Sequence, residues 1–302
     1  MRPWLHLARI SNLPTVWTNV TAAWLLSGGG LEDARLYWLI LAGSLLYTGG
    51  MILNDAADEK FDREHRPERP IPSGQVSAKA AWSVGIGMMI AGAWLAFDKG
   101  WAHPLFIAGL LVCIVFYDLY HKPWAGSVFV MGACRTMLIA MAGSARLIDL
   151  AFEETLSPIA PSFRLGFDSL NYLPRLVVIH ALAVGIYTVA LSMAARSGGR
   201  SSVRFLLWVP LMSLLSGKAV DMTLDSAKPL ALFVVLAAFA LLVISAQLRL
   251  RNGRIDAAVG LLLAGFVIAD ALAICTSSPV LALVFVGAAP LLRFWQRWVA
   301  AT

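Results

Sequence analysis

The sequence predicts an all-α polytopic transmembrane bundle of about nine helices. Three observations carry that prediction. Of 302 residues, 59% are hydrophobic and only 14% charged, where a soluble domain carries roughly a quarter charged residues. Mean hydropathy is +0.73. Apolar stretches near the ~20 residues needed to cross hydrocarbon recur from end to end. A β-barrel would instead alternate over ~10-residue segments, and residues 231–246 are apolar on every face.

Taken in order, the opening residues lack the unbroken apolar core of a cleaved leader, because Ser11, Asn12 and Thr15 interrupt it. Trp4 and Arg9 suit residues 4–10 to a membrane interface. Spans are expected at 12–27, 36–57, 78–97, 104–121, 125–146, 175–195, 204–220, 229–247 and 257–276. A tenth segment, 279–295, is interrupted near its end by Arg293. Alternate connections differ in basic residues. One side collects Arg9, Lys60, Arg63, Arg66, Arg69, Lys79, Lys122, Arg196, Arg249 and others, and the other only Arg35, Lys99, Arg146, Arg164, Arg175, Lys218 and Lys228. Lys and Arg concentrate in cytoplasmic loops, so the first side is expected to be cytoplasmic. Residues 147–174 form one long external connection, and 1–302 reads as a single membrane domain. The net charge of +6 follows from this loop topology and does not imply nucleic-acid binding. Cys113, Cys134 and Cys275 lie in apolar segments without CxxC spacing and read as buried thiols.

The chemistry concentrates after the second span. Asn54, Asp55, Asp58 and Asp62 stand at its end, and the three aspartates, spaced i, i+3, i+7, share one face of a helix. Crowded carboxylates repel unless something positive lies among them, and oxygen ligands suit a hard cation such as Mg2+, which shares its sites with phosphates. The connection that follows brings Arg63, Arg66 and Arg69, stiffened by Pro67, Pro70 and Pro72. Arginines hold phosphate oxygens through charge-assisted, often bidentate bonds. Either half alone reads as a solvated loop; together they favour a site for a metal-bound phosphate or diphosphate.

Asn54-Asp55-x-x-Asp58-x-x-x-Asp62, followed by Arg66-Pro67-x-Arg69-Pro70-Ile71-Pro72-Ser73-Gly74, closely resembles the first signature of the UbiA superfamily of intramembrane prenyltransferases. Arg9 to Thr15 resembles the start of that family's first helix, Tyr117 to Lys122 its Tyr/Lys element, and Gly132 to Arg135 a glycine–arginine stretch on the fifth helix. The resemblance implies a bundle around a central cavity, with Asn54, Asp55, Asp58 and Asp62 handling Mg2+ and diphosphate. It implies phosphate-grasping roles for Arg66, Arg69 and Lys122, with Tyr117 as a supporting donor. The activity implied is ionisation of a polyprenyl diphosphate and delivery of the prenyl cation to a small aromatic or lipid-like acceptor, at the cytoplasmic side of a multi-pass membrane protein (the inner membrane if bacterial). The partners are then the donor, the acceptor and the bilayer.

The sequence departs from the family where a second aspartate-rich motif is expected, since 187–199 contain no acidic residue. Asp221 and Asp225 spell DxxxD but fall on the opposite side by the span count. Tyr187, Ser192 and Arg196 are then the candidates to take over diphosphate binding, and the layout resembles the EboC-like branch. A non-catalytic or transport-type protein that binds a lipid diphosphate or a cation is the alternative. Within the spans, Arg135 reads either as a lining residue of the acceptor pocket or as half of an internal ion pair, Asp270 as part of such a pair, and His180 as structural. Trp17, Asn19, Trp24, Met51 and Phe116 suit either cavity lining or ordinary packing.

Overall fold

The computed structural model describes residues 2–121, 124–147, 149–150, 173–196, 202–215 and 227–295, and every regular element among them is helical. In chain order these are α1 (Arg2–Leu7), α2 (Leu13–Leu26), α3 (Ala34–Ala57), α4 (Glu59–His65), α5 (Ala78–Asp98), α6 (Pro104–Tyr120), α7 (Ser127–Gly143), α8 (Arg175–Arg196), α9 (Met212–Leu215), α10 (Ala227–Arg251), α11 (Ile255–Ile274) and α12 (Pro279–Trp295). Each predicted span contains one of these helices. Among the described residues, six helices are long and apolar enough to cross a membrane, while α6, α12 and the 204–214 segment are shorter apolar helices. The chain is an integral, multi-pass membrane protein.

Helix ends follow local chemistry. The Asp33 side chain accepts from the Arg35 N–H at 2.8 Å to start α3, and Ser77 accepts from the Ala80 N–H at 3.2 Å to start α5. His103 Nδ1 does the same for α6, with Pro104 pre-set at the first turn. The seventh predicted span differs most from expectation. Ser202–Leu211 is a 3-10 helix, with Pro210 inside it, that turns α-helical only over α9. Proline lacks the N–H and crowds the preceding turn, so a regular α-helix does not run through it.

α11 is the most enclosed span, with 83% of its apolar window buried, whereas α5 and α10 bury only 28%. α11 packs against α2, α8, α10 and α12, and the outer helices present Trp94, Val112, Phe233 and Leu241 outward. In hydrocarbon such a surface needs no cover. Helices α7 and α8 approach backbone to backbone at Gly132, where an added Cβ would lie 2.8 Å from the Gly185 carbonyl oxygen. At the end away from the acidic run, Arg35 pairs with Asp33 at 2.7 Å and Asp149 at 2.8 Å, and Arg146 donates to the Ser27 carbonyl at 3.1 Å. That cluster ties the α2–α3 turn to the end of α7.

Because small residues permit close approach between membrane helices, Gly132→Leu is expected to separate α7 from α8 and lower the thermal midpoint in detergent, at a cost of about 1–3 kcal/mol. Gly87→Leu is the control, since nothing lies within 4 Å of a Cβ there. Thermal unfolding of the two purified variants beside wild type checks the difference.

Candidate active site

The predicted single helix through the aspartates is divided. α3 ends at Ala57 and α4 begins at Glu59, with Asp58 capping both. The N–H of Asp58 donates to the Asn54 carbonyl at 3.0 Å and that of Asp62 to the Asp58 carbonyl at 2.9 Å, so the chain bends without losing helical pairing. Asp55, Asp58 and Asp62 are all buried. The following connection folds back over them. Ile71 and Val76 bury against Leu7, Ala8, Ile52 and Ala56, and the N–H of Val76 donates to the Pro70 carbonyl at 3.0 Å. This fixes Arg69, whose Nη1 lies 2.8 Å from Asp62 Oδ2 and 3.2 Å from Asp55 Oδ1.

Arg9 completes the cluster. Its Nη2 lies 3.3 Å from Asp55 Oδ1, and its Nη1 donates to Met51 Sδ at 3.5 Å. Its backbone sits in the left-handed region at φ 43° and ψ 47°, a conformation that costs a residue with a Cβ about 1–2 kcal/mol. On the facing side, Asn54 Nδ2 donates to Asp118 Oδ1 at 3.2 Å, while Asp118 Oδ2 is buried without a hydrogen-bond partner. His121 Nε2 lies 3.3 Å from Asp58 Oδ2, and its Nδ1 faces the Tyr117 carbonyl at 3.1 Å. Both neighbours offer acceptor oxygens to the ring.

Beside this cluster a cavity of about 310 Å3 opens between the segment before α2 and helices α3, α6, α7, α8 and α11. Arg9, Tyr117, Asp118 and Arg196 form its polar end, and Leu46, Ile114, Leu138 and Leu263 its apolar wall. Arg196 is held by Ser127 Oγ at 2.8 Å and the Ala125 carbonyl at 3.3 Å. Arg135 lies deeper, its guanidinium 4.6 Å from the centre of the Phe266 ring.

Several residues singled out in the sequence thus meet: Asp55, Asp62 and Arg69 directly, Asn54 through Asp118, Asp58 through His121, and Tyr117, Arg135 and Arg196 on the cavity wall. Two do not. Arg66 is exposed at the end of α4. Tyr187 is fully buried behind the wall, where its hydroxyl donates to the Leu262 carbonyl at 2.7 Å and its ring meets Phe266 edge-on at 5.1 Å. It therefore fastens α8 to α11 and offers no donor to a ligand in the cavity. Lys122, Asp221 and Asp225 lie outside the described residues. The sequence reading passed over Asp118 and Arg9 as site residues. The signal for Asp118 was present, since an aspartate in the last turn of an apolar helix must face a cavity or a partner.

The profile of the UbiA prenyltransferase family matches residues 14–259. The chain belongs to the UbiA prenyltransferase family. It is 33% identical over 136 residues to a digeranylgeranylglyceryl phosphate synthase from Metallosphaera sedula, covering 44% of this chain and 48% of that one. It is 32% identical over 151 residues to a 4-hydroxybenzoate octaprenyltransferase from Polynucleobacter necessarius, covering 48% and 51%. The matches thus span about half the length of these curated relatives. Among solved structures, a UbiA homologue from Aeropyrum pernix superposes with a TM-score of 0.61 at 18% identity over 87% of this chain and 96% of that one. A structure reported for digeranylgeranylglyceryl phosphate synthase gives 0.53 at 15% identity over 95% and 98%. These two show that the bundle has the UbiA fold.

Removing one member of a buried charge cluster leaves its partner uncompensated, typically at about 3–5 kcal/mol. Arg69→Leu is therefore expected to lower the thermal midpoint of the purified protein sharply, while Arg66→Leu, on the exposed side of the same connection, leaves it unchanged. Thermal unfolding of both variants in one detergent measures this.

Proposed function

We propose that this protein is a Mg2+-dependent prenyltransferase that moves a prenyl group from a polyprenyl diphosphate to a small aromatic or lipid-like acceptor. The observation that carries the reading is a largely apolar cavity whose end with Arg9, Asp118 and Arg196 adjoins the buried aspartates of a UbiA signature. In this reading that end faces the cytoplasm, supported by the excess of Lys and Arg in the connections on that side, and the chain acts as one membrane domain.

Among the described residues no three Asp, Glu, His or Cys side chains are gathered as a ready metal site. The donor chemistry nevertheless fits a hard cation. Asp118 presents a buried carboxylate oxygen with no partner, and Asn54, Asp55 and Asp58 add oxygen donors close by. These residues would hold Mg2+, which supplies Lewis-acid neutralisation of the leaving diphosphate.

The protein's own groups account for the rest of the chemistry. Arg9 and Arg196, with Arg69 behind them, place positive charge where diphosphate oxygens gain negative charge as the C–O bond breaks. Lys122 is proposed as a further cation, and Tyr117 as a hydroxyl donor at the same end. The apolar wall excludes water that would quench the allylic cation, and the ring of Tyr47 on the same wall stabilises it before the acceptor attacks.

Asp55→Ala is expected to lower Mg2+-dependent diphosphate release from geranylgeranyl diphosphate by at least about 100-fold, the scale of losing one electrostatic element of a site. Purified protein in nanodiscs with a panel of acceptors and mass detection of products measures this. Turnover retained in Asp55→Ala would refute the assignment. Asp118→Asn is expected to raise the Mg2+ concentration needed for half-maximal release, while an unchanged Mg2+ dependence removes Asp118 from the metal site.

A further inference from the structure

Arg135 is one member of a chain of buried polar groups whose arrangement has a consequence for the acceptor. It lies eight residues into α7 from Ser127, ~12 Å along the axis from the polar end at 1.5 Å per residue. A guanidinium at that depth needs a counter-charge. The carboxylate that supplies it, Asp270 on α11, is fully buried but does not touch it. Asn19 on α2 stands between them. Its Nδ2 donates to both oxygens of Asp270, at 2.8 and 2.9 Å, and its Oδ1 accepts from Arg135 Nη1 at 2.7 Å. The two charges fix the amide orientation, since only its nitrogen can serve a carboxylate and only its oxygen a guanidinium. Thr15 Oγ1 accepts from Arg135 Nη2 at 2.9 Å while donating to the Asn12 carbonyl at 2.7 Å. Behind Asp270, His180 Nε2 lies 3.0 Å from Oδ1 and His180 Nδ1 lies 3.2 Å from Ser213 Oγ. A neutral ring carrying its proton on Nε2 satisfies both contacts.

A direct bidentate pair would have filled the guanidinium fork with Asp270. Placing the amide between them neutralises Arg135 at one remove. Its two bonds to protein use one N–H on each terminal nitrogen, out of the five the group carries. The remainder of the group borders the cavity, over the Phe266 ring and on the wall with Leu138 and Leu263. Among the described residues on the cavity wall the one carboxylate, Asp118, belongs to the opposite, polar end.

We propose that Arg135 is an anion seat for the acceptor, which carries a carboxylate or a phosphate, and that Asn19 and Asp270 are positioning residues that keep the seat open. The inference rests on the prenyl-transfer reading: the donor diphosphate occupies the end with Arg9 and Arg196, the acceptor anion occupies the deeper end, and the nucleophile lies between them. A neutral acceptor would leave the guanidinium facing an apolar wall with donors unused, and the missing charge-assisted bonds set the discrimination.

The test measures binding without turnover, in full-length protein in nanodiscs lacking prenyl diphosphate and Mg2+, so its outcome is independent of whether transfer occurs. Two probe pairs are titrated calorimetrically: 4-hydroxybenzoate against 4-hydroxybenzamide, and dodecyl phosphate against dodecanol. Wild type is expected to bind the anionic member of one pair about 10- to 100-fold more tightly, as one charge-assisted hydrogen bond provides. Preference in the first pair identifies a carboxylate-bearing small acceptor, and in the second a phosphate-headed lipid. Arg135→Gln is expected to abolish the preference. Asn19→Ala is expected to abolish it with binding of the neutral member kept, because the guanidinium can then swing onto Asp270, whereas a purely structural role for Asn19 would weaken both members alike. Absence of an anion preference in both pairs for wild type overturns the proposal whether or not the variants fold. A preference lost in Arg196→Gln but kept in Arg135→Gln locates the anion at the polar end and overturns it as well.

Discussion

The structure depends on one constraint: an ionised group inside hydrocarbon must meet an opposite charge, a hydrogen-bond partner or an enclosed cavity. The outer faces of α5, α6 and α10 obey it by carrying Trp94, Val112, Phe233 and Leu241. Polar side chains are thereby confined to the inner faces, where they find one another. Arg135, Asn19, Asp270 and His180 come from four helices and form one hydrogen-bonded chain through the middle of the bundle. The same constraint explains why α11, which carries Asp270, is the most enclosed span.

At the polar end the constraint takes another form. Three buried aspartates from one short run repel each other; Arg9 and Arg69 compensate Asp55 and Asp62 from two separate segments, and Asp58 faces His121. The cluster leaves Asp118 with an oxygen unpaired, and Arg9 in a backbone conformation uncommon outside glycine. Strain and unmet polar groups concentrate at functional sites, and here both border the same cavity.

Legibility in the sequence followed the distance between partners along the chain. Asp55, Asp62 and Arg69 lie within fifteen residues of one another, and their type and spacing were enough to expect a charged cluster. The spans were legible because each is a local run of apolar residues, and the UbiA signature is local too. The bend at Asp58 was not, because helical spacing alone does not reveal where a helix divides. Tyr187 was read as a ligand contact because it stands in the 187–199 stretch where a second acidic motif is expected and absent; its rotation towards Leu262 and Phe266 is decided by α11, far along the chain. The 3-10 course of Ser202–Leu211 was signalled by Pro210, yet its hydropathy reads as an ordinary span.

By itself the sequence determined the class of molecule, the family and the location of the acidic chemistry, because hydropathy, charge and the signature are properties of short contiguous stretches. Only the tertiary structure decided that Arg9 and Asp118 flank that chemistry, that Tyr187 is a fastener, and that Asn19 stands between Arg135 and Asp270. Those relations join residues from 46 positions apart, for Arg9 and Asp55, to 251, for Asn19 and Asp270. They arise from how helix faces rotate to bury every polar group away from lipid, a condition that the bundle satisfies as a whole and no single segment encodes.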